Sequence, residues 1–108
     1  METGIKEFIK ILDKNGNERP KVILSTDNGI LTSIVYQYES FINNRWHAIV
    51  RYDCAHGFFH RDFIMPNGEK EKSEIVIENL KDAAFYAEQD IKDRWEWYKE
   101  KFIKKIKK

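Results

Sequence analysis

The sequence predicts an α+β fold, an antiparallel meander sheet of five or six strands packed against one long C-terminal helix. Glycine and asparagine turns divide the first two-thirds of the chain into short apolar or alternating runs, which are typical of strands. The connections between these runs are too short for parallel crossovers, so antiparallel neighbours are expected. In the last third, apolar residues recur at spacings of three and four, the period of one helix face.

The turns that separate the strands are rich in asparagine and glycine. Asn-Gly at 15–16 and 28–29, Asn-Asn at 43–44 and Pro-Asn-Gly at 66–68 tolerate the positive φ that tight hairpins require. Residues 69–77 would add an edge strand, because their alternating charges oppose edge-to-edge association. The other predicted strands are 8–12, 22–24, 30–42, 46–52 and 58–65.

A single helix is predicted to begin at Leu80, with an apolar stripe that reaches Ile106. Asn79 suits the N-cap, and Asp82 at the third helical position completes a box-like cap. A helix of about 28 residues would be about 42 Å long, so its last turns are expected to project from the sheet or to pack on a second subunit. Its apolar stripe consists of Leu80, Ala84, Ala87, Ile91, Trp95, Tyr98, Phe102 and Ile106. Its favourable i,i+4 charge pairs are Asp90–Arg94, Glu88–Lys92 and Glu100–Lys104.

Composition limits the class of protein. At 108 residues the chain has room for one domain, spanning 1–108. Its formal net charge of +1 predicts no global affinity for nucleic acid, although six of the last ten residues are lysines. The single cysteine excludes an internal disulfide. No apolar run reaches the ~20 residues of a membrane span and no signal peptide opens the chain, so a cytoplasmic protein without membrane contact is expected.

Residues 51–62 concentrate the reactive side chains of the chain. The segment RYDCAHGFFHRD holds two of the three histidines, two of the five arginines and the only cysteine. If its two halves form a hairpin, one register aligns Arg51 with His60 and Asp62 on the sheet face opposite the helix. His56 would then lie beside them at the loop tip. A polar patch on the sheet is therefore expected.

This patch suits metal-independent phosphoryl chemistry on RNA. His56 and His60 would act as base and acid, because imidazole titrates near neutral pH. Arg51 and Arg61 would hold the phosphate and stabilise the charge that develops in the transition state. The hypothesis is an endoribonuclease without a cofactor.

Further residues of the segment have supporting roles in this hypothesis. Tyr52 would stack on a base or donate a proton, and Asp53 or Asp62 would orient a histidine. The alternative is a solvated strand face, on which an Arg–Asp pair adds only modest stability. A zinc site at His56, His60 and Asp62 is disfavoured, because two histidines four residues apart converge best on a helix. No metal is therefore expected.

The helix carries a second candidate surface. Trp97 falls off the apolar stripe, so it either covers a sheet edge or is exposed for a partner. Lys101 lies four residues on and would pack over its ring. With Lys104 and Lys105, these residues predict a non-catalytic module that binds a protein, a nucleic acid or a second copy of the chain. The alternative, without a binding role, is a solvated, lysine-rich helix end.

Residues 46–72 carry a resemblance to known families. Arg51-Tyr52-Asp53, followed by Ala55-His56 and Phe59-His60, resembles the core motif of TumE-like proteins, small toxins of prokaryotic toxin–antitoxin loci. The segment is still more similar to a largely archaeal set of small proteins with an RYD-x-AHGF-x-HRD core. The resemblance implies a toxin-like ribonuclease that an antitoxin-like protein neutralises, with Arg51, Tyr52, Asp53, His56 and His60 as its matching residues. Cys54 departs from the toxin pattern, which has asparagine there, and so does Arg61-Asp62.

Overall fold

The computed structural model describes residues 3–55 and 58–106, and it confirms the α+β fold. Six antiparallel strands form one open sheet, in which every strand pairs with its neighbours in the chain. One helix of 27 residues follows the sheet. The elements are β1 (Thr3–Ile9), β2 (Glu18–Asp27), β3 (Ile30–Ile42), β4 (Arg45–Ala55), β5 (Phe58–Ile64), β6 (Lys70–Glu74) and α1 (Leu80–Ile106).

Two asparagine turns connect the central strands of the sheet. Asn28 and Gly29, between β2 and β3, have φ of 52° and 79°. Asn43 and Asn44, between β3 and β4, have φ of 52° and 66°. Two successive residues with positive φ match the twist of a two-residue hairpin, and asparagine and glycine adopt this conformation at the lowest cost. The predicted turns at these positions are confirmed.

A β-bulge in β4 changes which side chains share a face. Ala48 and Val50 pair with consecutive residues of β3, so Ile49 is the extra residue. Both Ile49 and Val50 are fully buried. Simple alternation predicts Trp46 on the same face as Val50, but the bulge places it on the other face. The chain from Val50 onward keeps a regular register with β5.

The helix α1 lies against β3 and β4 on one side of the sheet, the helix face, and the opposite side is the open face. The last turns of α1 stay on the sheet: Phe102 is 1% exposed, with its ring 5.4 Å from the ring of His47, and Ile106 packs against the core. The expectation that these turns project is therefore wrong. The largest buried side chains are Tyr38, Tyr52, Tyr98, Phe102, Ile49, Ile91 and Val50.

Local polar contacts fix the start of α1 and its exposed side. The backbone N–H of Asp82 donates to Asn79 Oδ1 at 2.8 Å, so the predicted N-cap is confirmed. Glu88 pairs with Lys10, which follows β1, at 2.7 Å, and not with Lys92 as predicted. The other predicted ion pairs are present at 3.5 Å, and they are Asp90–Arg94 and Glu100–Lys104.

The charged strand β6 forms one edge of the sheet, as predicted for residues 69–77. Its lysines and glutamates are exposed, which opposes pairing with another chain. Within the described ranges, α1 is too polar to serve as a membrane span.

A buried carboxylate joins α1 to β2 and β3. Glu18 is 2% exposed, and its Oε1 accepts hydrogen bonds from the hydroxyls of Tyr38 at 2.6 Å and Ser40 at 2.5 Å. Its Oε2 accepts one from Lys99 Nζ of α1 at 2.5 Å. A buried charge is tolerated only when it is paired and hydrogen-bonded, and Glu18 meets both conditions.

Replacing Lys99 by methionine is expected to lower the free energy of unfolding by roughly 3 kcal/mol, because Glu18 would stay buried without its cation. Lys104→Met is the matched control, since Lys104 and Glu100 are 73% and 69% exposed and such pairs contribute less than about 1 kcal/mol. Urea unfolding followed by circular dichroism measures both variants. Equal losses in the two variants would contradict the structural role of the Glu18–Lys99 pair.

Candidate functional site

The hairpin of β4 and β5 gathers polar side chains on the open face. Arg51 pairs with Asp62, and Asp53 pairs with His60, across the two strands. Residues that pair directly across a ladder project from the same face, so all four side chains lie together. These four residues form the open-face cluster. The predicted alignment of Arg51 with His60 and Asp62 is present.

Asp53 is the centre of the hydrogen bonds in the open-face cluster. Its Oδ2 accepts a hydrogen bond from Arg51 Nε at 2.9 Å and lies 3.9 Å from His60 Nε2. Arg51 also donates to Gln37 Oε1 at 3.2 Å. The Arg51 guanidinium is therefore partly engaged by the protein, and the His60 imidazole has a carboxylate that can orient it.

Asp62 lies deeper in the sheet than the other members of the open-face cluster. It is 4% exposed, and its Oδ1 has no hydrogen-bond donor among the residues that the structure describes. Ligand atoms of Asp53, His60 and Asp62 lie within 4.8 Å of one another. These three side chains could therefore hold a metal ion, although the sequence favours none.

Tyr52 and Arg61 lie on the helix face. They pair with each other, one residue out of phase with Arg51 and His60. Arg51 and Arg61 therefore cannot hold one phosphate together, and that expectation is wrong. Tyr52 is 1% exposed, with its hydroxyl hydrogen-bonded to Asp90, so it cannot stack on a base.

His56 and Cys54 are the two other reactive residues of the segment 51–62. His56, the predicted partner of His60 in acid–base chemistry, lies outside the described residues. Cys54 is buried, and burial, with the nearby Asp53 carboxylate, raises the pKa of its thiol to about 11. The Cys54 thiol is therefore a poor nucleophile at neutral pH.

Asp90 of α1 is the polar anchor of the helix face. Its Oδ2 accepts hydrogen bonds at 2.5 Å from the hydroxyls of Tyr52, on the sheet, and Tyr98, on the helix. Arg61 NH1 lies 3.9 Å from Asp90 Oδ2, and Arg94 NH1 lies 3.5 Å from Oδ1. Burial, then the hydrogen bond to Asp90, raises the pKa of Tyr98 to about 12. The same causes raise the pKa of Tyr52, so both phenols remain donors.

Beside Asp90, α1 and strands β5 and β6 enclose a cleft of about 280 Å³, the basic cleft. Trp97 lines this cleft and is 42% exposed, with the Arg94 guanidinium and the Lys101 ammonium each 4.6 Å from the centroid of its ring. Glu71 is the one acid among the described lining residues. The basic lining residues are Arg61, Arg94, Lys101 and Lys105, and the aromatic ones are Phe63, Trp97 and Tyr98.

The basic cleft contains most of the predicted partner-binding residues of the helix. The predicted contact of Lys101 with the Trp97 ring is present. Trp97 also lies 6.3 Å from the Phe63 ring, so it covers part of the sheet while keeping an exposed portion. Lys105 lines the cleft, but Lys104 does not: it pairs with Glu100 at 3.5 Å.

Sequence reasoning missed the contribution of Asp90 and Arg94 to this region. Both appear in the sequence as an ordinary i,i+4 pair on a solvated helix face. A signal was present, because Asp90 precedes Ile91 of the apolar stripe and falls close to the buried arc of the helix. A carboxylate near a buried arc needs donors, and β4 and β5 supply Tyr52 and Arg61.

A family model described as Domain of unknown function (DUF7718) matches residues 3–108. The chain belongs to this family. No curated protein and no solved structure matches it.

The stability of the protein is expected to fall as pH rises through the interval from about 10 to about 12. The pKa of Tyr98 is 10.0 as a reference and about 12 in the fold, so the unfolded chain releases this proton first. The contribution is complete below pH 10.0 and is lost toward pH 12. Urea unfolding at a series of pH values measures it. Tyr98→Phe should flatten the alkaline decline by up to about 1.4 kcal/mol per pH unit. An unchanged slope would contradict a raised pKa of Tyr98 in the folded protein.

Proposed function

We propose that this member of the DUF7718 family binds single-stranded RNA in the basic cleft. The observation that carries the proposal is the convergence of four basic side chains on one cleft whose lining includes an exposed tryptophan. Proteins that bind single strands combine a positive groove for the phosphates with aromatic rings on which bases stack. The sequence predicts a non-catalytic module that binds a protein, a nucleic acid or a second copy of the chain. Of these three partners, we select nucleic acid.

The arginines of the basic cleft are held in place before a ligand arrives. Arg61 donates to the Tyr98 hydroxyl at 3.1 Å and to Ser73 Oγ at 3.4 Å. Its buried Nε has no acceptor in the described part of the chain, so the protein leaves one donor of this guanidinium unsatisfied. Asp90 supplies one negative charge near Arg61 and Arg94 together. The local sum stays positive, which favours an anionic ligand, and prior ordering lowers the entropy lost on binding.

The dimensions and chemistry of the basic cleft favour a single strand over other anions. A volume of about 280 Å³ suits a base with its phosphate and is too small for a duplex. A base that displaces Arg94 or Lys101 from the Trp97 ring can stack there whatever its identity, whereas an acidic peptide would draw on the cations alone. Lys101 and Lys105 have flexible stems, so they can follow successive phosphates along the strand.

The toxin-like ribonuclease that the resemblance implies is the second candidate, and the open-face cluster favours it. His60 Nε2 lies 3.9 Å from Asp53 Oδ2, a distance that a small side-chain movement would convert into an orienting hydrogen bond. His60 would then transfer a proton, and Arg51 on the same face would contact the phosphate. Arg61 and Tyr52 have no part in this version, and an antitoxin-like protein would be its natural partner.

Fluorescence anisotropy with a labelled single-stranded RNA of about 10 nucleotides tests the first candidate. Trp97→Ala should weaken binding roughly 5- to 150-fold, because stacking on a ring contributes about 1–3 kcal/mol per base. Trp46→Ala is the matched control: Trp46 is also exposed and also lies beneath a guanidinium, that of Arg19, but it belongs to the open face. Trp46→Ala should bind as the wild type does.

The salt dependence of the RNA affinity distinguishes the role of Lys101 from that of Lys104. Lys101→Ala should reduce the slope of log K against log salt by about 0.7, the value for one phosphate of a single strand. Lys104→Ala should leave the slope unchanged, because Lys104 lies outside the cleft. Equal effects of both lysine variants, or of both tryptophan variants, would contradict the proposal. Binding of polyglutamate without binding of RNA would assign the cleft to an acidic protein instead.

Cleavage of RNA in the presence of EDTA tests the second candidate. If His60 transfers a proton, the wild type cleaves under these conditions, and His60→Ala loses at least about 100-fold in rate. The melting temperature of the variant, measured in parallel, should be nearly that of the wild type. RNA that stays intact with the wild-type protein, or cleavage that His60→Ala does not affect, would exclude this candidate.

A further inference from the structure

We propose that Asp53, His60 and Asp62 of the open-face cluster bind one divalent transition-metal ion. Their ligand atoms lie within 4.8 Å of one another on the two paired strands β4 and β5. The site lies on the face of the sheet opposite α1, and the RNA proposal for the basic cleft does not depend on it. It adds a second binding function to the chain.

A second observation points to a cation, namely the burial of the Asp62 carboxylate with one oxygen that lacks a donor in the described part of the chain. The residue is 4% exposed, and Oδ1 lacks a donor within the described ranges. Lys72, its cross-strand neighbour on β6, is exposed and forms no ion pair with it, and Arg51 donates to Asp53 and Gln37 instead. Burial of a carboxylate without compensation is costly, so a ligand that supplies positive charge here would stabilise the fold.

The donor set selects the class of metal. One imidazole and two carboxylates suit Zn²⁺, Mn²⁺ or Co²⁺, whereas Ca²⁺ and Mg²⁺ prefer oxygen ligands alone. Metal–ligand distances of about 2.1 Å require ligand atoms about 3.4 Å apart in a tetrahedral site. Side-chain rotations that shorten the present distances, which reach 4.8 Å, by up to about 1.4 Å achieve this. Three protein ligands would leave a fourth position for water or a substrate.

Arg51 would act as a positioning residue for this site. It donates to Asp53 Oδ2, the same oxygen that lies 3.9 Å from His60 Nε2, and so holds that carboxylate beside the imidazole. The charges of Asp53, Asp62 and Arg51 sum to −1, so a divalent cation is attracted in spite of the guanidinium. A metal bound to the His60 imidazole would prevent it from carrying protons, so this inference competes with the ribonuclease candidate and chelation distinguishes the two.

Calorimetric titration of the untagged protein with Zn²⁺, Mn²⁺ or Mg²⁺ alone tests the inference. One equivalent of Zn²⁺ or Mn²⁺ should bind, with Mg²⁺ at least about tenfold weaker. Asp62→Asn and His60→Gln should each weaken binding at least about 100-fold, because each removes one of three ligands. Asp93→Asn on the exposed side of α1 and His47→Gln on the helix face are the matched controls, and both should bind as the wild type does.

A Co²⁺ titration provides a readout of coordination that does not depend on affinity. Visible absorption bands of bound Co²⁺ should appear with the wild type and disappear with His60→Gln. If circular dichroism shows that Asp62→Asn does not fold, the result for His60→Gln decides, because His60 lies nearer the surface, with a side chain 15% exposed. No binding by the wild type, or equal binding by the ligand and control variants, would overturn the inference. RNA binding in the basic cleft should be unaffected by either outcome.

Discussion

The hydrogen bonds that Asp90 accepts from Tyr52 and Tyr98 fix the position of α1 on the sheet, and the structure of the helix face depends on them. A single carboxylate oxygen accepts the hydroxyls of Tyr52, from the sheet, and Tyr98, from the helix, both at 2.5 Å. Apolar packing brings α1 onto the sheet, but packing alone allows the helix to slide or rotate by a small amount. A buried carboxylate that requires specific donors removes that freedom, because any other position leaves it unsatisfied. The same carboxylate lies near Arg61 and Arg94 and so helps to shape the basic cleft.

The two-residue period of β4 and β5 divides the reactive residues of the central segment between two sites. Arg51 and His60 project from the open face with the carboxylates beside them, and Tyr52 and Arg61 project toward α1. Sequence proximity therefore does not produce one catalytic centre. It produces an acidic cluster with an imidazole on one side and a basic, aromatic cleft on the other. We infer that the first suits a cation and the second suits an anion, so their ligands would be of opposite charge.

The sequence predicts the fold well because turns and periodicity are local properties. The asparagine turns, the charged edge strand and the long C-terminal helix are all present. The strand boundaries are less accurate: β1 is Thr3–Ile9 and not 8–12, since pairing with β2 decides which residues join the sheet. The bulge at Ile49 and the role of Asp90 depend on contacts between distant parts of the chain, which a single sequence does not display. The candidate sites are predicted less accurately than the fold, because their residues come from different elements.

A double-mutant cycle between Tyr52→Phe and Asp90→Asn tests the central claim most directly. The free energy of unfolding of the wild type, the two single variants and the double variant gives the coupling energy of the two side chains. A buried, charge-assisted hydrogen bond between sheet and helix predicts a coupling of at least about 1 kcal/mol. Additive effects, with a coupling below about 0.3 kcal/mol, would show that Asp90 does not join α1 to the sheet and would contradict the account.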